Sequence, residues 1–120
     1  MSLIDRIRLA AHRRRPAPLP MHPGRSTEVA DFEHLRSFAR SRQGVEGFFE
    51  PATTVVEATL VLVANDGEWT RRRVASIEEA RRLGRDLGMP VYEVGLVGYP
   101  ERMRRFNRRR RESEGKGTSG

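Results

Sequence analysis

The 120-residue chain contains no cysteine, and only one of its 23 basic residues is lysine. Without cysteine, disulfides, thiolate metal sites and redox-active thiols are excluded together. No run approaches the roughly 18–20 apolar residues that a membrane-spanning helix needs. The N-terminal stretch MSLIDRIRLAAHRRR has arginines on both sides of its short apolar part, which is not the order of a signal peptide. A cytoplasmic protein is expected, with the membrane an unfavoured partner. His12, His22 and His34 fall in an arm, a linker and a helix, with no pair at i,i+4 and no carboxylate at ligand spacing, so no metal site is expected. The serines and threonines lack a nucleophile-elbow context, and GLVGYP makes neither GxGxxG nor a P-loop. No catalytic residue and no cofactor follow from these patterns, and the chain reads away from an enzyme.

What the sequence has in excess is arginine. Residues 1–27 hold six arginines and one acid, residues 28–101 nine arginines and thirteen acids, and residues 102–120 eight bases and two acids, within a formal total of +7. A mildly acidic body between two basic ends is the arrangement of a fold with polyanion-seeking arms. A GC-rich coding sequence also favours arginine over lysine, which discounts the charge as a binding signal.

Four segments follow from the pattern. Residues 1–15 form a basic amphipathic arm, with Leu3, Ile7, Ala10 and Ala11 on one face of a short helix. Residues 16–26 form a Pro-rich linker, because PAPLPMHPG fixes φ repeatedly and disfavours helix before each proline. Residues 27–107 are expected to be one domain, and residues 108–120 a basic and then flexible tail. Within the domain, Val29, Phe32, Leu35, Phe38 and Ala39 recur at helical spacing, with acids early, arginines late and Gly44 as a stop. Ser76-Ile77-Glu78-Glu79 is a capping box opening a second helix that stops at Gly88 before Pro90.

TTVVEATLVLVA, residues 53–64, is rich in β-branched residues and apolar on both faces near its end, so it reads as a central strand. The NDG turn that follows sets the hairpin register. A two-residue loop would set Arg71 and Arg73 beside Leu60 and Leu62. A three-residue loop, with Gly67 left-handed as a bulge, pairs Val63 with Trp69, Val61 with Arg71 and Thr59 with Arg73, and the faces separate cleanly. The second register is expected, because a one-residue slip moves every side chain to the wrong face. PVYEVGLVG, residues 90–98, reads as a third strand beside the first, giving an α+β fold with a small antiparallel sheet of order 2-1-3 packed by helices. VEGFF, residues 45–49, is a possible fourth short strand. With VEGFF included, residues 28–88 trace a partial double-stranded-RNA-binding topology, but the second helix opens with Glu78 and Glu79 where that fold presents basic residues.

Two surfaces could bind a polyanion. Trp69, Arg71 and Arg73 lie two residues apart on one strand, the ingredients of a stacking platform with phosphate contacts. A lone tryptophan is more often core, and the C-terminal helix could cover this face; that covered reading is preferred. The other surface is RMRRFNRRRRE, residues 102–112. There Met103 and Phe106 form a docking stripe with Tyr99, while Arg104, Arg105, Arg108, Arg109, Arg110 and Arg111 remain for a partner. The i,i+4 pairs Arg104/Arg108 and Arg105/Arg109 are like-charged, each costing about 0.2–0.5 kcal/mol, so the helix should fray after Asn107 unless an anion compensates it.

VLVANDGEWTRRRV, residues 61–74, and VGYPERMRRFN, residues 97–107, resemble a family of small basic actinobacterial proteins, over roughly residues 30–110. The resemblance implies no activity, catalytic residue or ligand. A generic oxidoreductase label attached to such proteins finds neither a nucleotide fingerprint nor a redox cysteine in this chain. The expected function is a non-enzymatic binding module for nucleic acid or a ribonucleoprotein surface. The alternative is a protein-interaction or scaffold module, with an enzyme third.

Overall fold

The structure, a computed structural model, describes residues 26–118, with side chains through residue 115. The N-terminal arm, most of the linker and the end of the tail lie outside the described residues. Among the described residues four helices, α1 (Val29–Ser41), α2 (Ile77–Leu87), α3 (Val94–Val97, a single turn) and α4 (Glu101–Thr118), accompany four strands, β1 (Glu46–Glu50), β2 (Thr59–Val63), β3 (Trp69–Arg73) and β4 (Val91–Glu93). The fold is α+β, a small sheet packed by helices. The strand order is β3-β2-β1-β4, with β4 parallel to β1 and the other neighbours antiparallel.

The hairpin has the register expected from its side chains: Val63 lies opposite Trp69, Val61 opposite Arg71 and Thr59 opposite Arg73. Gly67 is left-handed at φ 93°, and its amide donates to Ala64 O at 2.9 Å to close the turn. Alternation along β2 then sends Leu60 and Leu62 to one face and Val61 and Val63 to the other. On the first face they pack with Phe32, Leu35 and Phe38 of α1, Phe49 of β1, and Ala80 and Leu83 of α2. The second face holds Phe48, Val61, Val63 and Met103, with Trp69, Val94 and Tyr99 packed around them.

The sheet departs from the expected order in one respect. VEGFF is not peripheral: β1 takes the place beside β2 that was expected for residues 90–98, and β4 pairs with β1 instead, making the sheet mixed. The reason lies in Phe48 and Phe49, adjacent residues that point to opposite faces and enter different clusters. A strand that buries an aromatic on each side belongs in the sheet interior, which leaves the edge to Val91–Glu93. The third strand is also shorter than expected. After Glu93 the chain turns once, Gly98 N–H donating to Val94 O at 2.8 Å, so Val94 reaches the second cluster while Leu96 stands 81% exposed. The central strand likewise begins only at Thr59. The Thr53 hydroxyl accepts from the amides of Val55 and Val56 at 3.3 and 3.0 Å, a local turn that competes with the ladder.

At the start of α2, Ser76 Oγ accepts from Glu79 N–H at 3.2 Å, the N-cap half of the box. The Glu79 side chain is drawn elsewhere. It is 4% exposed and accepts from the Thr27 hydroxyl at 2.5 Å, while Thr27 Oγ1 accepts from Ala75 N–H at 2.8 Å. Burial pushes the Glu79 carboxyl above its ordinary range, opposed by the Thr27 hydrogen bond and others. Gly84 allows α2 to approach β4, since a Cβ there would sit 2.7 Å from Val91 Cγ2 and 2.8 Å from Met89 O, and Gly88, left-handed, ends the helix.

Two outcomes are expected. A raised folded-state value means that Glu79 contributes stability below the ordinary glutamate range and loses it as pH rises through the folded value. Glu79→Gln should therefore raise the urea midpoint at pH 7, and the gain should vanish in acid. Gly67→Ala would place a Cβ 2.0 Å from Arg102 O at a left-handed φ, and should cost at least about 2 kcal/mol while red-shifting emission from Trp69, the sole tryptophan. Gly95→Ala, which meets nothing within 4 Å, should stay within about 0.5 kcal/mol in the same urea titration.

Candidate nucleic-acid interface

Pro100 and Glu101 open α4 where a fixed φ and a negative charge suit the first turn. Met103 then enters the second cluster and is 7% exposed. Arg102 lies along the end of the sheet, donating from Nε to Ala64 O at 2.9 Å and from Nη2 to Glu46 Oε1 at 2.6 Å. Its own carbonyl rests over Gly67 with Phe106 alongside, an approach that only a residue without a Cβ allows. One turn on, Asn107 Oδ1 accepts from the Trp69 indole N–H at 2.7 Å. Helix α4 is thus seated on the hairpin by an apolar plug and two polar ties.

This seating covers part of the sheet surface, Arg71 remaining exposed at its margin. Trp69 is half-buried, with its N–H bound and the Arg71 guanidinium 5.3 Å from its ring centroid. Arg71 donates to both Glu50 oxygens at 2.7 and 3.0 Å, and Glu50 also accepts from the Thr59 and Tyr99 hydroxyls. Arg73 pairs with Glu57 and donates to Ser26 O at 2.7 Å. The row Trp69, Arg71, Arg73 is therefore engaged within the fold, in keeping with the covered reading.

The remaining arginines of α4 are arranged differently. Arg104 donates to Glu101 at 3.1 Å and Arg108 lies 3.9 Å from the same carboxylate. Arg109 donates to Asp66 O at 3.0 Å, and Arg110 to Glu114 at 3.4 Å. Among the described residues no carboxylate pairs with Arg105 or Arg111. Arg104, Arg108 and Arg111 recur at i, i+4 and i+7, so they form one stripe beside the side that carries Met103, and with Glu101 and Asn107 they line a shallow hollow. Where fraying after Asn107 was expected, α4 runs on to Thr118. Opposite partners at Glu101, Asp66 O and Glu114 offset part of the like-charge repulsion. Helix α4 carries eight bases and three acids, a charge of +5, against −3 for residues 26–100.

Two other places bring polar groups together. His34 Nε2 lies 2.6 Å from Thr70 Oγ1, which resembles a base beside a hydroxyl nucleophile. Its Nδ1, however, faces Arg72 Nη2 at 3.3 Å rather than a carboxylate, and the Asp31 charge that favours an imidazolium is outweighed. Desolvation and then the Arg72 charge hold the His34 value below the ordinary histidine range. The hollow between Ala39, Arg42, Glu46, Leu87 and Met89 contains two charged groups, both already partnered: Arg42 with Glu68 at 2.7 Å, and Glu46 with Arg102. Neither place assembles a reacting centre.

Arg102, Asn107 and Glu50 were not singled out by sequence reasoning, and Glu101 only as an acid suited to the first turn of the helix. A signal existed only for Glu101, three and seven residues before Arg104 and Arg108. Comparisons of the chain with protein-family models, with curated proteins and with solved structures return no match.

The two halves of α4 should separate under mutation. Asn107→Ala removes the indole acceptor and should cost about 1 kcal/mol with a red shift of Trp69 emission. Arg108→Ala should stay within about 0.5 kcal/mol of the parent and leave emission unchanged.

Proposed function

We propose that the chain is a non-enzymatic binding module for nucleic acid, bare or on a ribonucleoprotein surface, and that it works through arginine–phosphate contacts from α4. The observation that carries this reading is the division of the helix. Its first two turns are fixed to the sheet by Met103, Arg102 and Asn107, while Arg104, Arg105, Arg108, Arg109 and Arg111 face solvent. A rigid mount for clustered guanidinium groups reduces the entropy lost when they engage phosphates. Arg71 and Arg73 contribute less, because polyanion contact would have to compete with Glu50 and Glu57. Glu101 acts as an internal competitor for Arg104 and Arg108, occupying the place a phosphate oxygen would take.

A protein-interaction module is the second reading, favoured by a separate observation. Val55 and Val56 (77% and 57% exposed) follow the end of β1, and Leu96 and Val97 (81% and 55%) follow the end of the parallel β4, so four exposed aliphatic residues share one end of the sheet.

Binding to short DNA and RNA is to be measured by fluorescence anisotropy across a salt series. With about four phosphates neutralised, log K should fall against log salt with a slope of about −3 to −4. Arg108→Ala and Arg111→Ala should each reduce the slope by about 1, whereas Glu101→Gln should tighten binding. No binding at low salt would end the nucleic-acid reading. Binding indifferent to the α4 arginines but lost with Trp69→Ala would move the site to the sheet.

A further inference from the structure

Resting on that reading, we infer that the polyanion taken by α4 is duplex DNA of B form, entered through its major groove. The first observation is where the helix leaves the body. Met103 and Arg110 are seven residues apart and so lie on the same side of α4. Met103 is 7% exposed, but the Arg110 side chain is 63% exposed. The side that is covered at Met103 is open two turns later, and residues 108–115 are all exposed, with Arg109 reaching back to Asp66 O at 3.0 Å. The second half of α4 is a projecting rod rather than one face of a packed helix.

The second observation is how charge is distributed around that rod. Arg108 and Arg110, two residues apart, point about 200° away from one another, and Arg109 lies between them. A flat surface or a single strand running along one side would meet Arg104, Arg108 and Arg111 and leave Arg110 facing away. A groove with phosphates on both walls meets both sides at once. The dimensions select the groove. A helix with its side chains is about 10–12 Å across, the B-form major groove is about 12 Å wide and the minor groove about 6 Å. The A-form major groove is deep and narrow, which closes duplex RNA to the same mode.

The chemistry also limits what is read. The one amide side chain near the band, Asn107, is held by Trp69, so the Asn or Gln pairing with adenine is absent from the described part of the helix. Arginine pairing with guanine O6 and N7 is the base contact left open, so phosphates supply most of the hold and any sequence preference is for guanine.

The test compares the intact chain on a 20-base-pair DNA duplex, the RNA duplex of the same sequence, and the single DNA strand, at matched salt. Duplex DNA should bind at least about tenfold more tightly than either alternative. Methyl green, a major-groove dye, should be displaced, and a minor-groove dye should not. Arg110→Ala and Arg108→Ala should each reduce the salt slope by about 1 on duplex DNA. Equal affinity for all three nucleic acids, with Arg110→Ala silent, would overturn the groove inference and leave the phosphate-contact reading standing. Preference for duplex RNA would overturn the groove inference in favour of A-form recognition. Absence of binding to all three at low salt would remove both.

Discussion

A small sheet that is apolar on both faces cannot be satisfied from one side. Leu60 and Leu62 are covered by α1 and α2, but the same alternation that buries them turns Val61 and Val63, with Phe48, to the opposite face. Something must cover that second face, and the described structure supplies Val94, Tyr99 and the first turns of α4. The position and direction of the arginine-rich helix are therefore consequences of hydrophobic burial in β2. Met103 brings it to the sheet, and the exhaustion of apolar residues after Phe106 releases it.

One residue type thereby serves three purposes. Arg102 is a structural tie, satisfying a hairpin carbonyl and the Glu46 carboxylate. Arg71 and Arg73, on the sheet, neutralise Glu50 and Glu57 beside half-buried surface. Arg104 through Arg111 lie where solvent reaches them, and their intramolecular partners are long or exposed contacts of the kind that contribute little in water. Charge alone does not distinguish these groups. What separates them is whether a carboxylate of the body lies within reach once the helix has docked.

The parts of this architecture that the sequence makes readable are those decided by neighbours in the chain. The hairpin register follows from Arg71 and Arg73, which only one loop length keeps away from Leu60 and Leu62. The limits of α2 follow from Ser76 and Gly88. The interior position of β1 was harder to read, because two adjacent phenylalanines are equally consistent with a strand in the sheet interior or a short apolar loop until both covering layers are known. The seating of α4 was legible in Met103 and Phe106, which keep helical spacing, but not in Arg102 and Asn107. Their partners, Ala64 O and Trp69, are each 38 residues away, and nothing local distinguishes either residue from its neighbours.

The contact between Gly67 and the Arg102 carbonyl bears on how this protein can change over time. Surface hairpin turns are ordinarily places where a chain accepts added residues, because little rests on them. Here the 65–67 turn is the floor on which α4 sits, with its bulge glycine against the helix backbone. Lengthening it by even one residue would lift the helix from the sheet. Variation in loop length should instead collect between β1 and β2, where Val55 and Val56 are exposed and the helix has no footing.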